Sequence, residues 1–335
     1  MIYIQSIKQI SIQEPLSSKW FEEPVIYHEN QFIDAVDPDF KQYFSPIASR
    51  RLDKLLKRAV VTAKEAVQNE DRLQGIIMGS GLGSIEMTEK FLLSMIGNGE
   101  EFLQPTAFTN STHNTICALV ALTLKCHGYN TTYSHTGISF DSALLDGIIQ
   151  LKGGHLNNVL VCANDYTTPR CYTLMHKTGY LRDVVNGQVS LSMLLSDTPH
   201  NGQICQIVDG EILRSNNKSD ILDAYKTLLT RNNIAEDKIK ATVVSASGKD
   251  DADITDINRI CLGNKPMLWY KHIFGENTCA SAMGIYVAAT CIQKRTIPTF
   301  LYYTNLECTG FPEYILVYNR FNDIDHSLFI LKCLN

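Results

Sequence analysis

The stretch Lys271–Gly284 reads KHIFGENTCASAMG and joins a predicted strand end, a glycine turn and the start of a predicted helix. The apolar run Pro266–Tyr270 (PMLWY) before it predicts a strand, and Thr278–Lys294 has the composition of a helix. A lysine between a strand and a glycine turn is well placed to be a functional charge. Lys271 is equally compatible with a solvated lysine at a strand end, so both interpretations stay open.

Outward from this stretch, short apolar runs alternate with longer segments of helical periodicity. Several runs are almost continuously apolar, as strands buried on both faces should be. The predicted strands are Gln74–Ser80, Asn158–Ala163, Ser190–Ser196, Lys240–Ser245 and Tyr314–Asn319. The predicted helices are Arg50–Gln68, Thr112–His127, Phe140–Leu151 and Ile221–Arg231. This alternation predicts an α/β fold with mostly parallel strands and helices packed on them.

The strand and helix pattern occurs twice along the chain. Each half offers roughly five strands and about three helices. The segment Ser196–Gln203 (SDTPHNGQ) between them is polar and rich in turn-forming residues. We therefore predict an N-terminal half over residues 1–198 and a C-terminal half over residues 199–335.

Composition narrows the class of protein. The chain has 335 residues, 44% apolar and 19% charged, which is typical of a globular protein with a large core. A net charge of −5 without a basic block argues against a nucleic-acid partner. Without an apolar run of 18 residues or a secretory signal in the opening MIYIQSIKQISIQ, we expect a cytoplasmic protein that does not bind membranes.

Cysteine and histidine spacing bears on metal sites and cofactors. The ten cysteines form no C-x-x-C pair, so we expect reduced thiols that are mostly buried. No cluster of histidine and cysteine has the spacing of a metal site. We expect neither a metal nor another cofactor.

Two further motifs suggest other chemistry. The GSGLG turn at Gly79–Gly83 could cradle a phosphate, but it lacks the G-x-G-x-x-G spacing of dinucleotide sites, and a tight strand-to-helix turn is favoured. Ser134, His135 and Asp141 could suggest a hydrolase triad. Chain neighbours on a strand point to opposite faces, which makes Ser134 and His135 poor partners.

Taken in order, these segments resemble the β-ketoacyl synthase family of the thiolase fold, from about Gln74 to the C-terminus. The matching segments are GSGLGS at Gly79–Ser84, Ser111–Gly128, Asn130–Leu151 with the following VLVCAND, VVSASG at Val243–Gly248, KHIFGENTCASAMG at Lys271–Gly284 and NRF at Asn319–Phe321. The resemblance implies two duplicated βαβαβαββ halves in a layered α-β-α-β-α body.

Working members of that family use a cysteine nucleophile and two histidines, and here all three positions differ. The nucleophile position falls on Ser134 or His135, depending on a one-residue shift in alignment. The first histidine position falls on Ser247 and the second on Glu276, while Lys271 keeps the family's residue type. A serine without an adjacent base is a weak nucleophile, and a carboxylate would repel an enolate. An ion pair between Lys271 and Glu276 is therefore the predicted use of these residues.

The segment that matches the start of the family's gating loop also departs from the pattern. After Asn319–Phe321 come Asn322, Asp323, Ile324 and Asp325, where the family has glycine, phenylalanine and two glycines. The loss of those glycines removes backbone freedom that such a loop needs.

The resemblance implies a subunit of the chain-length-factor type, which pairs with an active ketosynthase, meets an acyl carrier protein and is not an enzyme by itself. Within the family, the chain looks most like the short synthase-like proteins of bacterial aryl polyene and related pigment pathways. Two alternatives stay open. One is an active ketosynthase or acyltransferase of the 3-oxoacyl-carrier-protein synthase type that uses Ser134 or His135. The other is a homodimeric scaffold that binds the acyl carrier protein.

Overall fold

The structure, a computed structural model, describes residues 1–28, 31–50, 52–68, 72–101, 103, 105–180, 184–200 and 202–334. Its strands are β1 (Ile2–Ile10), β2 (Gln31–Phe32), β3 (Gly75–Gly79), β4 (Tyr129–Tyr133), β5 (Asn158–Asp165), β6 (Val185–Asn186), β7 (Val189–Ser196), β8 (Cys205–Arg214), β9 (Ile239–Val244), β10 (Met267–Trp269), β11 (Tyr314–Phe321) and β12 (Asp325–Lys332). Its α-helices are α1 (Pro46–Arg50), α2 (Lys54–Ala66), α3 (Ile85–Gly97), α4 (Pro105–Asn110), α5 (Asn114–Leu124), α6 (Ser139–Lys152), α7 (Pro169–Lys177), α8 (Lys218–Arg231), α9 (Ala252–Cys261), α10 (Lys271–Phe274) and α11 (Ser281–Lys294).

Ten strands form one large mixed sheet in the order β10-β9-β11-β12-β8-β1-β7-β5-β3-β4. When the strands of each half are numbered along the chain, both halves read 3-2-4-5-1 from the outer edge to the centre. The halves meet where β1 pairs antiparallel with β8, with Ile2 opposite Ile207. Strands β2 and β6 form a separate parallel pair. The predicted α/β fold is confirmed, but the prediction of mostly parallel strands is wrong, because five of the nine neighbouring pairs in this order are antiparallel.

The predicted boundary between the halves lies in the connection between β7 and β8. Strand β7 ends at Ser196 and β8 begins at Cys205. Asn201, within this connection, lies outside the described residues, as does Arg51 of the predicted helix Arg50–Gln68. The boundary after residue 198 stays a prediction.

Helices α6 and α11 lie between the two halves of the sheet. Both belong to one apolar cluster with the inward residues of the two halves, such as Val161 on β5 and Val317 on β11. On the outer faces, α2 and α5 cover the first half, and α8 and α9 cover the second. Leu160 on β5 faces this outer layer of the first half, and Leu316 on β11 faces that of the second. The layers therefore follow the order helix, sheet, helix, sheet, helix.

Helix α11 is buried along most of its length because its residues are small or apolar on all sides. A Cβ atom at Gly284 would lie 3.1 Å from the ring of Tyr270, so glycine allows the close approach of the preceding segment. Burial of α11 fixes the position of Asn277 and Thr278, which come just before it at the candidate site.

The predicted strands that are almost continuously apolar are all present, but the central strands β1, β8 and β12 were not predicted. Strand β1 (IYIQSIKQI) includes Gln5, Ser6 and Lys8, so its sequence lacks the continuous apolar run that marks the parallel strands. No helix in the described part of the chain combines the length and the hydropathy that a membrane crossing requires.

Candidate functional site

The GSGLG turn binds a carboxylate of the chain itself. Asp165, at the end of β5, accepts hydrogen bonds from the backbone N–H groups of Gly81 (2.9 Å) and Leu82 (3.0 Å). It also accepts hydrogen bonds from the hydroxyl groups of Ser80 (3.1 Å) and Thr278 (2.5 Å). These backbone N–H groups form a small anion site of the kind that could hold a phosphate, but Asp165 occupies it. The turn therefore connects the first half to the segment before α11.

The junction between β4 and α6 carries Ser134 and His135, and both side chains are exposed. The backbone N–H of His135 donates to the hydroxyl of Ser139 (2.9 Å), which in turn donates to the carbonyl of Thr136 (2.7 Å). Thr136 has φ of 44°, in the left-handed region that a β-branched residue rarely adopts. Backbone strain at this junction therefore lies at Thr136, which the sequence did not single out.

Asp141 does not pair with His135. Its carboxylate accepts hydrogen bonds from Ser281 (2.6 Å), Asn319 (3.2 Å) and Ser327, which lie on three different elements. Burial raises the pKa of Asp141 above its ordinary value. Asp141 thus connects α6 to α11, β11 and β12, and it does not form the hydrolase triad.

Lys271 and Glu276 form the predicted ion pair, with Nζ and Oε2 2.5 Å apart. The Lys271 side chain is 6% exposed and that of Glu276 is 19% exposed. The backbone of Glu276 is fixed by two hydrogen bonds, from its N–H to the carbonyl of Val185 (2.6 Å) and from the N–H of Gly187 to its carbonyl (3.1 Å). Gly275, with φ of 77°, packs against Gly187 so closely that a Cβ atom would lie 2.5 Å from the Gly187 nitrogen. The carboxylate is therefore held against the lysine.

Two cavities meet at this ion pair. The aromatic cavity has a volume of about 760 Å³, and its lining includes Tyr27, Trp269, His272, Phe300, Tyr302 and Tyr303. The polar cavity has a volume of about 300 Å³, and its lining includes Thr167, Asn186, Asn277, Thr278, Arg320 and Asp323. Val184, Ser247 and Glu276 line both cavities. The structure thus brings Ser247, Lys271 and Glu276 together, whereas Ser134 and His135 line neither cavity.

A short hairpin stands at the position of the family's gating loop. Asn322 and Asp323 adopt φ of 49° and 60°, which Asn and Asp tolerate better than most residues. Beside them, the Arg320 guanidinium pairs with Asp251 (3.1 Å), Asp253 (3.2 Å) and Asp323 (3.4 Å). The contacts with Asp251 and Asp253 connect the base of the hairpin to the start of α9, and the contact with Asp323 lies within the hairpin.

The thiols do not supply a nucleophile at either cavity. All ten cysteines are free, and none lines the aromatic or the polar cavity. Cys279 lies closest to the GSGLG turn and donates to the carbonyl of Gly79 (3.4 Å), and burial raises its pKa well above the ordinary value. Burial likewise raises the pKa of Cys162 to about 12. Both thiols are therefore protonated near neutral pH.

His272 is the histidine nearest the ion pair, and it is held in place as a neutral side chain. Its ring stacks on Trp269 with centroids 4.4 Å apart, and its Nε2 lies 3.1 Å from the carbonyl of Phe300. Burial lowers the pKa of His272 to about 4. In the part of the chain that the structure describes, no group of three or more His, Cys, Asp or Glu residues could hold a metal ion.

Comparison with known proteins identifies a family model that matches the sequence and solved structures with a similar fold. Residues 19–246 match the family model of the β-ketoacyl synthase N-terminal domain. A β-ketoacyl synthase from Burkholderia phymatum superposes with a TM-score of 0.81 at 13% identity, over 100% of this chain and 99% of that one. No curated protein matches the chain by sequence.

Two solved complexes are also similar in fold. A type II polyketide synthase acyl-carrier protein with its ketosynthase bound to the hexaketide superposes with a TM-score of 0.81 at 10% identity, over 99% of both chains. A ketosynthase with its chain length factor from Xenorhabdus doucetiae gives a TM-score of 0.75 at 13% identity, over 99% of this chain and 98% of that one.

Proposed function

The chain belongs to the β-ketoacyl synthase family, and from that membership we propose that it is a non-catalytic subunit of the chain-length-factor type. It pairs with an active ketosynthase in the cytoplasm, in chain elongation of the fatty-acid or polyketide kind on an acyl carrier protein. One observation carries this proposal: an ion pair and a serine occupy the wall between the two cavities, where the resemblance places two histidines.

The electrostatics of that wall support the absence of condensation. Glu276 compensates the charge of Lys271, so the lysine offers little positive charge to a developing enolate. The nearby His272 is neutral and its Nε2 is engaged with a backbone carbonyl. The two candidate nucleophiles also favour this proposal, because Ser134 and His135 line neither cavity.

A surface of the first half fits the role of a docking site. We define the apolar face as Leu92, Leu93, Ile96, Phe108 and Leu122, whose exposed fractions run from 44% to 76%. The five side chains lie on α3, α4 and α5, and α3 buries none of its residues within the chain. Large exposed apolar side chains on the packed helices α3 and α4, and on the following α5, fit a protein–protein interface.

Of the helices that carry the apolar face, α5 packs against the edge strand β4. The rings of Phe91 and Phe108 lie 5.3 Å apart and join α3 to α4, while Cys117 on α5 donates to the carbonyl of Thr131 on β4 (3.5 Å). Strand β4 ends the sheet, and within the described part of the chain β3 is the strand that pairs with it. At the opposite end, the chain covers β10 itself, because the N–H of Tyr303 donates to the carbonyl of Met267 (2.9 Å).

An uncovered edge strand with flanking apolar helices favours a partner that offers a matching edge. The Xenorhabdus doucetiae ketosynthase occurs with its chain length factor, and we assign the same kind of partner to this chain. The test is co-expression with a ketosynthase from the same genome that keeps its cysteine and two histidines. Light scattering after gel filtration should give a one-to-one complex. A stable self-dimer that ignores the ketosynthase would overturn the proposal in favour of a homodimeric scaffold.

Intact-mass analysis tests the remaining alternative, an acyltransferase that uses Ser134 or His135. The wild-type chain and its Ser134→Ala and His135→Ala variants are each incubated with an acyl carrier protein thioester. We expect no mass increase. A covalent acyl adduct that disappears in either variant would contradict the non-catalytic assignment.

A further inference from the structure

The aromatic cavity has the size and lining of a small-molecule site. Its volume of about 760 Å³ falls within the range of ligand pockets, roughly 300–1,000 Å³. Five aromatic rings contribute to its walls: Tyr27, Trp269, Phe300, Tyr302 and Tyr303. Aromatic walls favour an apolar ligand body, because they offer large apolar contact areas.

The polar tips of these rings are engaged with the backbone. The Tyr303 hydroxyl donates to the carbonyl of Gly248 (2.9 Å), and the Trp269 indole N–H donates to the carbonyl of Ala246 (2.8 Å). Both groups are therefore satisfied within the chain, and the carbon faces of the rings are left to contact a ligand.

Two lysines line the aromatic cavity, and they differ in their pairing. Lys271 and Glu276 compensate each other and form the inner wall that separates this cavity from the polar cavity. Lys249 also lines the cavity, and the ion pairs found among the described residues do not include it. Its charge reaches the interior, since it adds to the effect of burial in lowering the pKa of His272. Lys249 is thus a cavity-lining cation that none of the ion pairs found among the described residues engages.

We propose that the aromatic cavity binds an apolar carboxylate, with its carboxylate group at Lys249 and its hydrocarbon body against the aromatic rings. The inner wall formed by Lys271 and Glu276 keeps this ligand out of the polar cavity. The site requires no partner subunit and no acyl transfer, so it stands or fails independently of the pairing with a ketosynthase.

Tryptophan fluorescence offers a readout at the site itself. The chain has two tryptophans, and Trp20 is 1% exposed and packed against Phe274 and Tyr286, away from the cavity lining. Trp269 lines the cavity. We therefore expect ω-bromoundecanoate, a carboxylate with a heavy-atom quencher at its tail, to quench the emission of the full chain saturably. Trp269→Phe should abolish the saturable component. Saturable quenching that persists in this variant, or none in the wild type, would overturn the proposal.

Comparison with the matching neutral alcohol, ω-bromoundecanol, tests the role of the charge. Lys249→Ala should weaken the carboxylate by about fivefold, as expected for a partly exposed ion pair, and the alcohol by less than about twofold. Phe300→Ala should weaken both ligands by about fivefold through lost ring contact. Lys226→Ala, at an exposed lysine of α8 outside both linings, is the matched control and should change neither. Equal effects of Lys249→Ala on acid and alcohol would overturn the assignment of the carboxylate to Lys249.

Discussion

The Nζ atom of Lys271 lies 2.5 Å from Oε2 of Glu276, in the wall between the aromatic and the polar cavity. Four residues lie between the two along the chain, and the glycine turn at Gly275 brings the carboxylate back toward the lysine. Glu276 neutralises the charge of Lys271, the site residue that keeps the family's residue type. Under the proposed function, this pair accounts for the loss of condensation chemistry, and its burial makes it part of the stability of the fold.

Removal of one partner of this ion pair should destabilise the chain, because the other charge is left buried. Glu276→Leu should lower the free energy of unfolding by about 3 kcal/mol, and Lys271→Met by less, since Glu276 is the more exposed partner. The double variant should recover to within about 1 kcal/mol of the wild type. Urea denaturation measures all three values.

The exposed ion pair between Lys218 and Asp256 (3.2 Å) is the control for this cycle. Lys218→Ala should change the free energy of unfolding by less than about 1 kcal/mol. If the losses of the two single variants simply add in the double variant, the coupling between Lys271 and Glu276 is absent and the prediction fails.

The hydrogen bonds of Asp165 to the GSGLG turn should contribute strongly to the stability of the fold. Asp165→Ala removes an acceptor from two backbone N–H groups and two hydroxyl groups, so we expect a loss of about 3 kcal/mol or more in the free energy of unfolding. Asp223→Ala, at an exposed aspartate of α8, should stay within about 0.5 kcal/mol of the wild type. Denaturation midpoints compare the two, and a similar small change in both would contradict the role of Asp165.

The apolar face should be required for pairing with a ketosynthase. Ile96→Glu places a charge on α3, where the wild-type side chain is 76% exposed, so the variant should fold normally yet weaken the complex by more than about tenfold. Ile260→Glu, at a 48% exposed isoleucine of α9, is the matched control and should leave pairing unchanged. Gel filtration with light scattering measures complex formation. Normal pairing by the Ile96 variant would place the interface elsewhere.

Burial of His272 predicts a dependence of stability on pH. The pKa of His272 is about 4 in the folded chain and about 6.5 when unfolded. Between these values the unfolded chain binds a proton that the folded chain does not, so stability is full above about pH 6.5 and falls as the pH drops toward 4. The loss from this residue is at most about 3 kcal/mol.

His272→Gln should flatten this part of the stability profile. His127→Gln, at an exposed histidine, should keep the wild-type slope. Thermal unfolding between pH 4 and 7 measures both variants. An unchanged slope in His272→Gln would show that other groups cause the acid sensitivity.

The sequence was sufficient for the features that depend on local pattern. Continuous apolar runs predicted β3, β5, β7, β9 and β11. The opposite charges of Lys271 and Glu276, at positions that the family resemblance identified, predicted their ion pair. Strand β8 escaped prediction because Asp209 and Glu211 interrupt its apolar pattern. Strand β12 begins with the polar residues Asp325, His326 and Ser327, so its continuous apolar run has only four residues.

Features that depend on contacts between distant segments could not be read from the sequence. Asp165 meets Gly81 across 84 positions of the chain, and an aspartate at a strand end gives no sign of that contact. The strain at Thr136 is equally hidden, because a β-branched residue is among the least expected at positive φ. Because the backbone conformation of this junction cannot be read from the sequence, Ser134 and His135 remained the two predicted nucleophile positions. Whether either residue occupies the nucleophile position stays a prediction.

Malonyl-dependent elongation on an acyl carrier protein tests the central claim most directly. The chain alone, the ketosynthase alone and the co-purified pair are assayed side by side, and the products are resolved by mass. We predict no condensation by the chain alone, and full-length products only when the chain and the ketosynthase are both present. Robust condensation by the chain alone would contradict its assignment as a non-catalytic partner subunit.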